Sequence, residues 1–460
     1  MKRLLAGVLV LGMTATGVYG YMVTRRDRTY RQLVASGEAS LAQDNTSAAV
    51  EMFSGAIAWK PDAMIAYLKR GETYRRRGEL DDALRDLRRA SELDPSATRA
   101  IEEEADVNLG LKRYPAAADR YRDYVRLDDR APRVLYKLAF AQYHCGHPAD
   151  AIGALQKAVA QDDRFAEAYY LLGVCLRDVQ RLDGAKTALE HAVTIQPAML
   201  QAREELADLY GTLGRTDDRL SQLEALGALD PGPTREVTLG LAYARAGQQQ
   251  RAILTLGRAV ERYPTYRYAY VALGRVWLEN AQAAGDRVSL SKALGALEQA
   301  VGTEDTSEAM TLFGRALLMT SDEESAERML QKATAKEPAD PLAFYYLADA
   351  SERLGHVAAA RQALVDYQAL HGDEPDARRR LALTVRLGDM SLKLGEPVAA
   401  LAYFQRAAGE ATADTQVLTR LADAQWRTGD KEAARQTVTR ALEKDPSDLQ
   451  VLALRRRIKP

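Results

Sequence analysis

The chain has 460 residues, with 63 lysines and arginines against 64 aspartates and glutamates, so its net charge is −1. A chain of this length exceeds one ordinary globular core and predicts several domains or a repeat array. The balanced charge leaves no basic excess that would attract nucleic acid, and two cysteines are too few for a disulfide scaffold or a zinc ribbon.

The first 29 residues differ in composition from the rest of the chain. Lys2 and Arg3 precede an uncharged stretch, Leu4–Val23, and Arg25 and Arg26 follow it. Twenty helical residues span about 30 Å, the hydrocarbon thickness of a bilayer. The stretch predicts a retained membrane anchor; a cleaved secretory signal and a buried soluble helix are the alternatives. A positive start leading into an apolar run is typical of export, so we expect the following residues to lie outside the cytoplasm.

Residues 64–97 carry the clearest internal pattern, and most of the chain repeats it. Tyr67, Gly71, Ala83, Leu87 and Pro95 mark its positions. Apolar residues three and four apart lie on one face of a helix, which predicts two amphipathic helices per unit. The small residues allow the two helices to approach closely, and a larger side chain there would force them apart.

This pattern resembles the tetratricopeptide repeat, a helical hairpin with a period of 34 residues. We expect units at residues 30–63, 64–97, 98–131, 132–165, 166–199, 200–232, 233–266, 267–306, 307–340, 341–374, 381–414 and 415–448. The sixth unit has Arg219 where a small residue is expected, and about seven extra residues interrupt the eighth around Glu279–Ser291.

The resemblance implies an all-α fold, a right-handed α-solenoid of about twelve hairpins. Residues 1–29 would form the signal or anchor segment, residues 30–448 the array, and residues 449–460 a capping helix. In the cap, Leu449, Val451 and Leu452 are expected to cover the last hairpin.

One cluster has metal-ligand residue types: His144, Cys145, His147 and Cys175. A metal needs three or four ligands in fixed geometry, and a disulfide needs the two cysteines to meet; ordinary turn and packing residues remain the third interpretation. The sequence shows no nucleophile elbow, phosphate-binding loop or paired-cysteine zinc signature. We therefore predict no enzyme, no catalytic residue, no cofactor and no metal site.

In the resembling family, the first helices of the repeats line a concave surface that binds extended or helical peptides. By analogy, the candidate partner-binding residues are Tyr136, Phe140, Tyr143, His144, Tyr170, Arg177, Tyr268, Arg275, Tyr345 and Trp426. Tyrosine and arginine dominate binding hot spots, although tyrosine also fills the seams between helices. The fourth and fifth units carry the densest set.

The leading functional hypothesis is a non-enzymatic scaffold that binds protein or peptide segments in a bacterial-type cell-envelope assembly. It would be attached to a membrane through Leu4–Val23 if that segment is not cleaved, with its repeats extracytoplasmic (periplasmic). The alternatives are a cytoplasm-facing anchored adaptor that recruits soluble proteins, and an enzyme accessory with a metal at the His/Cys cluster.

Overall fold

The structure is a computed structural model that describes residues 2–302, 306–372, 374–410 and 414–458, with side chains described from residue 18 onward. Within these ranges the chain is all-α, with 25 helices paired into about twelve hairpins. Successive hairpins stack as a solenoid-like repeat within residues 2–229 and within residues 230–458. The predicted fold class is confirmed. The chain divides into two compact units, Met1–Leu229 and Asp230–Pro460.

The first unit contains twelve helices within the described residues. They are α1 (Lys2–Ala42), α2 (Thr46–Trp59), α3 (Met64–Arg77), α4 (Leu80–Leu93), α5 (Thr98–Gly110), α6 (Tyr114–Leu127), α7 (Pro132–His144), α8 (Pro148–Gln161), α9 (Ala166–Asp178), α10 (Leu182–Ile195), α11 (Leu200–Thr212) and α12 (Thr216–Leu229).

The second unit contains thirteen helices in its described part. They are α13 (Pro233–Arg245), α14 (Gln249–Arg262), α15 (Arg267–Ala284), α16 (Arg287–Val301), α17 (Ser307–Met319), α18 (Glu323–Thr334), α19 (Pro341–Arg353), α20 (Val357–His371), α21 (Ala377–Lys393), α22 (Pro397–Ala408), α23 (Thr415–Arg427), α24 (Lys431–Lys444) and α25 (Leu449–Arg457).

One contact recurs at the centre of the hairpins. A Cβ added at Gly71 would lie 2.7 Å from Leu87 Cγ, and one added at Gly173 would lie 2.6 Å from Leu189 Cγ. Equivalent glycine–leucine or glycine–phenylalanine contacts occur at Gly37–Phe53, Gly240–Leu256, Gly274–Leu297, Gly314–Leu330 and Gly388–Phe404. The absent side chain of the first helix makes room for a buried side chain of the second, which fixes how closely the two helices pack.

The turn inside each hairpin requires a left-handed residue after the first helix. Glycine supplies it in several repeats, for example Gly78 at φ 78° and Gly146 at φ 79°. In four repeats the same place is taken by a residue other than glycine, at φ between 57° and 61°: Asp44, Lys112, Gln180 and Ser321. Residues with a Cβ adopt this conformation at an energetic cost, so these turns depend on the packing around them.

The extra residues predicted in the eighth repeat lengthen its first helix. Helix α15 has 18 residues and ends before Gly285 (φ 65°). Asp286 then caps α16, because its carboxylate accepts hydrogen bonds from the backbone N–H groups of Val288 and Ser289, each at 3.0 Å. The additional length is therefore folded into regular structure.

The helices at the two ends of the chain are the predicted capping helix α25 and the long helix α1. At the C-terminus, α25 buries Val451, Leu454 and Ile458 against the last hairpin, whereas Leu449 is 81% exposed. The expectation for Leu449 is wrong, because this residue starts the helix on the side away from the hairpin. At the N-terminus, α1 runs without a break from Lys2 to Ala42.

The membrane prediction concerns the beginning of α1. Among the residues with described side chains, no helix is long and apolar enough to cross a membrane. Most of the predicted segment Leu4–Val23 lies outside those residues, because side chains are described only from residue 18. The anchor or signal stays a prediction.

Candidate partner-binding surface

The first helices of neighbouring repeats come close to one another in the first unit. Helix α3 contacts α5, and α7 contacts α9. Ion pairs join the first helices of neighbouring repeats. Lys69 Nζ on α3 lies 3.3 Å from Glu38 Oε1 on α1, and Lys137 Nζ on α7 lies 2.8 Å from Asp106 Oδ1 on α5. We call the surface formed by α3, α5, α7, α9 and α11 the first-helix face, because these helices share it.

Helix α7 presents a continuous row of rings on this face. Tyr136, Phe140 and His144 are four residues apart and so lie on one side of the helix. The ring centroids of Tyr136 and Phe140 are 6.2 Å apart, and those of Phe140 and His144 are 4.4 Å apart. The Tyr143 ring meets His144 edge-on at 5.6 Å, and Phe165 extends the row at 5.1 Å from Tyr136.

Tyr143 links this row to the charged end of α9. Arg177 Nη2 lies 2.9 Å from Asp178 Oδ1, and Arg177 also forms an ion pair with Glu205. Burial raises the pKa of Tyr143, and the charge of Asp178, which accepts a hydrogen bond from the tyrosine, raises that pKa further. The arginine is thus held between two carboxylates beside the rings.

Tyr170 on α9 completes the group. It is half-buried against the same apolar cluster as Tyr136. Burial raises the pKa of both tyrosines; the charges of Glu167 for Tyr136 and of Glu204 for Tyr170 raise it further. The structure therefore brings together the candidates predicted in the fourth and fifth repeats. We define the aromatic patch as Tyr136, Phe140, Tyr143, His144 and Tyr170, with Arg177 at its edge.

The candidate partner-binding residues of the second unit lie in different surroundings. Tyr345 lies 5.4 Å from Tyr367 and 5.6 Å from Tyr346, measured between ring centroids, and the Arg386 guanidinium lies 5.9 Å from its ring. Asp349 and Glu352 pair with the same arginine. This is a small aromatic and charged cluster between α19 and α21.

The other three candidates of this unit belong to two different repeats. Tyr268 and Arg275 are both on α15: Tyr268 is 40% exposed, and Arg275 forms an ion pair with Glu308 of α17. Trp426 on α23 packs beside the capping helix, with Lys431 Nζ 5.4 Å from its ring. The described part of this unit does not gather its four candidates into one patch.

Two aromatic residues beside the aromatic patch, Tyr114 and Phe165, were not predicted from the sequence. Tyr114, the first residue of α6, stacks on His144 with ring centroids 4.8 Å apart and planes 16° apart. Phe165 precedes α9 and packs on Tyr136. Both lie at helix starts in positions that the repeat pattern leaves open, so no periodic signal marks them.

The His/Cys cluster is not assembled as a metal centre in the described part of the chain. Both cysteines are free thiols, with Cys145 half-buried and Cys175 buried. Burial raises the pKa of Cys175 to about 12 and also raises that of Cys145. No group of three or more histidine, cysteine or acidic side chains suited to a metal ion occurs among the described residues. His144 instead packs between rings of the aromatic patch and Tyr114.

These features define a class of protein: an all-α repeat array whose first helices form a shared surface of rings and ion pairs. The sequence matches the tetratricopeptide repeat over residues 34–98, 68–132, 136–199 and 311–375, and further forms of the same repeat match residues 237–266 and 391–458. The chain belongs to the tetratricopeptide repeat family.

Similarity to individual proteins is confined to parts of the array. The Hsp70-Hsp90 organizing protein 3 of Arabidopsis thaliana is 30% identical over 82 residues, covering 18% of this chain and 15% of that protein. The small glutamine-rich tetratricopeptide repeat-containing protein 2 of Mycosarcoma maydis is 27% identical over 97 residues, covering 21% and 28%. The chain thus matches less than a third of the length of either relative.

One solved structure is similar to a larger part of the chain. YrrB, described as a TPR protein with an unusual peptide-binding site, is 24% identical with a TM-score of 0.38 and covers 40% of this chain and 96% of its own.

Proposed function

We propose that this chain is a non-enzymatic scaffold that binds protein or peptide segments on the first-helix face of its first unit. The observation that carries the proposal is the aromatic patch on α7 and α9. Tyrosine and arginine dominate the energetics of protein interfaces, and this patch holds three tyrosines with an arginine at its edge.

The patch is also organised before any partner arrives. The rings of Tyr136, Phe140 and His144 contact one another, and Arg177 is fixed by Asp178 and Glu205. Side chains that are already ordered lose little conformational entropy on binding, which favours affinity for a given contact area.

Site-specific crosslinking in cells tests this proposal. A photoreactive phenylalanine analogue at Tyr143 is expected to give discrete crosslinked products, because this residue lies on the proposed surface. The matched control places the same analogue at Gln156, which is exposed on the second helix α8. Equal products from both positions, or none from Tyr143, would contradict the proposal.

We propose further that the array works at a membrane, with the repeats on the outer side of the inner membrane in a bacterial-type envelope assembly. The support is the sequence of the N-terminus, where Lys2 and Arg3 precede the uncharged segment Leu4–Val23. Protease treatment of spheroplasts is expected to digest the repeats without lysis. Digestion only after lysis would contradict this location and favour a cytoplasm-facing adaptor.

A further inference from the structure

We propose that the segment bound at the aromatic patch is cationic: an extended peptide with arginine or lysine between apolar residues. This inference names the partner class for the proposed function and rests on it. The aromatic patch supplies ring faces, and the helices around it supply carboxylates.

The helices that form and flank the patch carry carboxylates. On α5, Glu102 and Asp106 lie on the side towards α7 and are bridged by Lys137. On α9, Glu167 is exposed, and it lies close enough to Tyr136 for its charge to raise the pKa of that tyrosine. On α11, Asp208 is exposed. Neither Glu167 nor Asp208 forms an ion pair with the described residues, so both are available to a partner.

Two neighbouring cations, Lys137 and Arg177, are neutralised by carboxylates of the chain itself. Lys137 Nζ lies 3.0 Å from Glu102 Oε1 and 2.8 Å from Asp106 Oδ1. Arg177 is shared by Asp178 and Glu205. An incoming acidic segment would have to displace these internal carboxylates, whereas a basic segment meets carboxylates that already face the surface. Arg133, in the first turn of α7, and Arg164, before α9, are exposed opposing charges.

The chain itself shows the contact that such a segment would make. The guanidinium of Arg215 lies 5.1 Å from the centre of the Tyr210 ring, and its Nε donates a hydrogen bond of 2.6 Å to Asp218 Oδ2. A cation over a ring and bonded to a carboxylate gains from both interactions. Tyr136 beside the exposed Glu167 offers the same two groups to an arginine of a partner.

The net charge of −1 argues against a general electrostatic attraction of basic peptides to the whole protein surface. A protein with so little excess charge attracts basic peptides weakly through its whole surface. Preference for a basic segment would therefore reflect the local arrangement around the patch, and it should depend on individual carboxylates there.

Three synthetic peptides of equal length test the inference with the full chain. They share the same leucine residues and carry arginine, glutamine or glutamate at the positions between them. We expect the arginine peptide to bind at least about tenfold more tightly than the glutamine peptide, with no binding of the glutamate peptide. The double variant Glu167→Gln, Asp208→Asn is expected to weaken arginine-peptide binding about threefold to tenfold.

Two single variants that each remove one negative charge, Glu167→Gln at the patch and Glu261→Gln away from it, separate local from general attraction. Glu261→Gln removes an exposed carboxylate from the second helix α14 and should leave the binding unchanged. Tighter binding of the glutamate peptide, or an equal effect of Glu261→Gln and Glu167→Gln, would overturn the inference. If crosslinks from Tyr143 persist while the arginine peptide shows no preference, the scaffold function stands and only the partner class is wrong.

Discussion

Gly71 lies directly beneath the side chain of Leu87, so that a Cβ at residue 71 would come within 2.7 Å of Leu87 Cγ and 3.3 Å of the Ala83 carbonyl oxygen. Leu87 is fully buried and cannot move away into solvent. The contact therefore sets the separation of α3 and α4, and through its repetition the spacing of the other hairpins that share it.

Gly71→Ala is expected to destabilise its repeat by about 1–3 kcal/mol, because overpacking outweighs the better helix propensity of alanine. Hydrogen exchange of the amides in α3 and α4 measures this locally, since each repeat contacts mainly its neighbours. The control is Gly257→Ala in α14, where a Cβ meets nothing within 4 Å and a gain of about 0.5–1 kcal/mol is expected. Faster exchange in both variants, or in neither, would refute the packing account.

Gln180→Gly should stabilise the fifth repeat by about 0.5–1 kcal/mol. Gln180 has φ 61°, a left-handed conformation that glycine adopts without the steric cost of a Cβ. We expect this gain in free energy to exceed the cost of the extra conformational entropy that glycine gives the unfolded chain. The comparison is Gln156→Gly, at an exposed position inside α8, with an expected loss of about 1 kcal/mol. Denaturant midpoints that move in the same direction for both variants would contradict the conformational argument.

The buried hydroxyl of Ser351 makes part of the stability dependent on pH. It donates a 2.5 Å hydrogen bond to Glu327 Oε1, and His356 Nδ1 lies 3.0 Å from the same oxygen. Burial acts to raise the pKa of Glu327, but these hydrogen bonds outweigh it and hold the pKa below its ordinary value. The ionised carboxylate thus stabilises the fold above its ordinary pKa, and this contribution is lost as the pH falls through the lowered value.

Ser351→Ala should therefore destabilise the fold by about 1–2 kcal/mol at pH 7 and by less in acid, once the pH falls below the lowered pKa of Glu327. Urea unfolding across this pH range measures the difference. Ser391→Ala is the control, because Ser391 is equally buried but donates to the Leu387 carbonyl, which does not titrate. An effect of Ser351→Ala that is independent of pH would show that the carboxylate is not the group involved.

The two thiols should react at very different rates. Cys145 is half-buried, whereas Cys175 is buried with its pKa raised to about 12, so almost no Cys175 is a thiolate at pH 8. We expect a thiol reagent to label one cysteine per native chain quickly. Cys145→Ser should abolish the fast reaction, and Cys175→Ser should retain it; the reverse pattern would mean that α9 packs differently.

The repeat pattern predicted the helices well because each position of the pattern has one structural task. Gly71 and Gly173 are glycine because a leucine occupies the space beside them. Arg219, which departs from the small residue expected, packs against Gly211, where an added Cβ would lie 3.4 Å from the arginine Nε.

The aromatic patch was predictable only in part. The four-residue spacing of Tyr136, Phe140 and His144 follows from the helix period, and the structure joins their rings. The stacking of Tyr114 on His144 depends on the packing angle between neighbouring hairpins, which no local sequence pattern encodes. Ion pairs such as that of Arg177 with Glu205 likewise require the distance between neighbouring repeats.

The recurring glycine contact also bears on how such a chain can change over evolutionary time. Because the same close approach lies inside hairpins from Gly37 to Gly388, a hairpin can be duplicated or lost without a new solution for its interior. Substitutions at the outward positions of the first helices would alter the proposed binding surface and leave this interior contact unchanged.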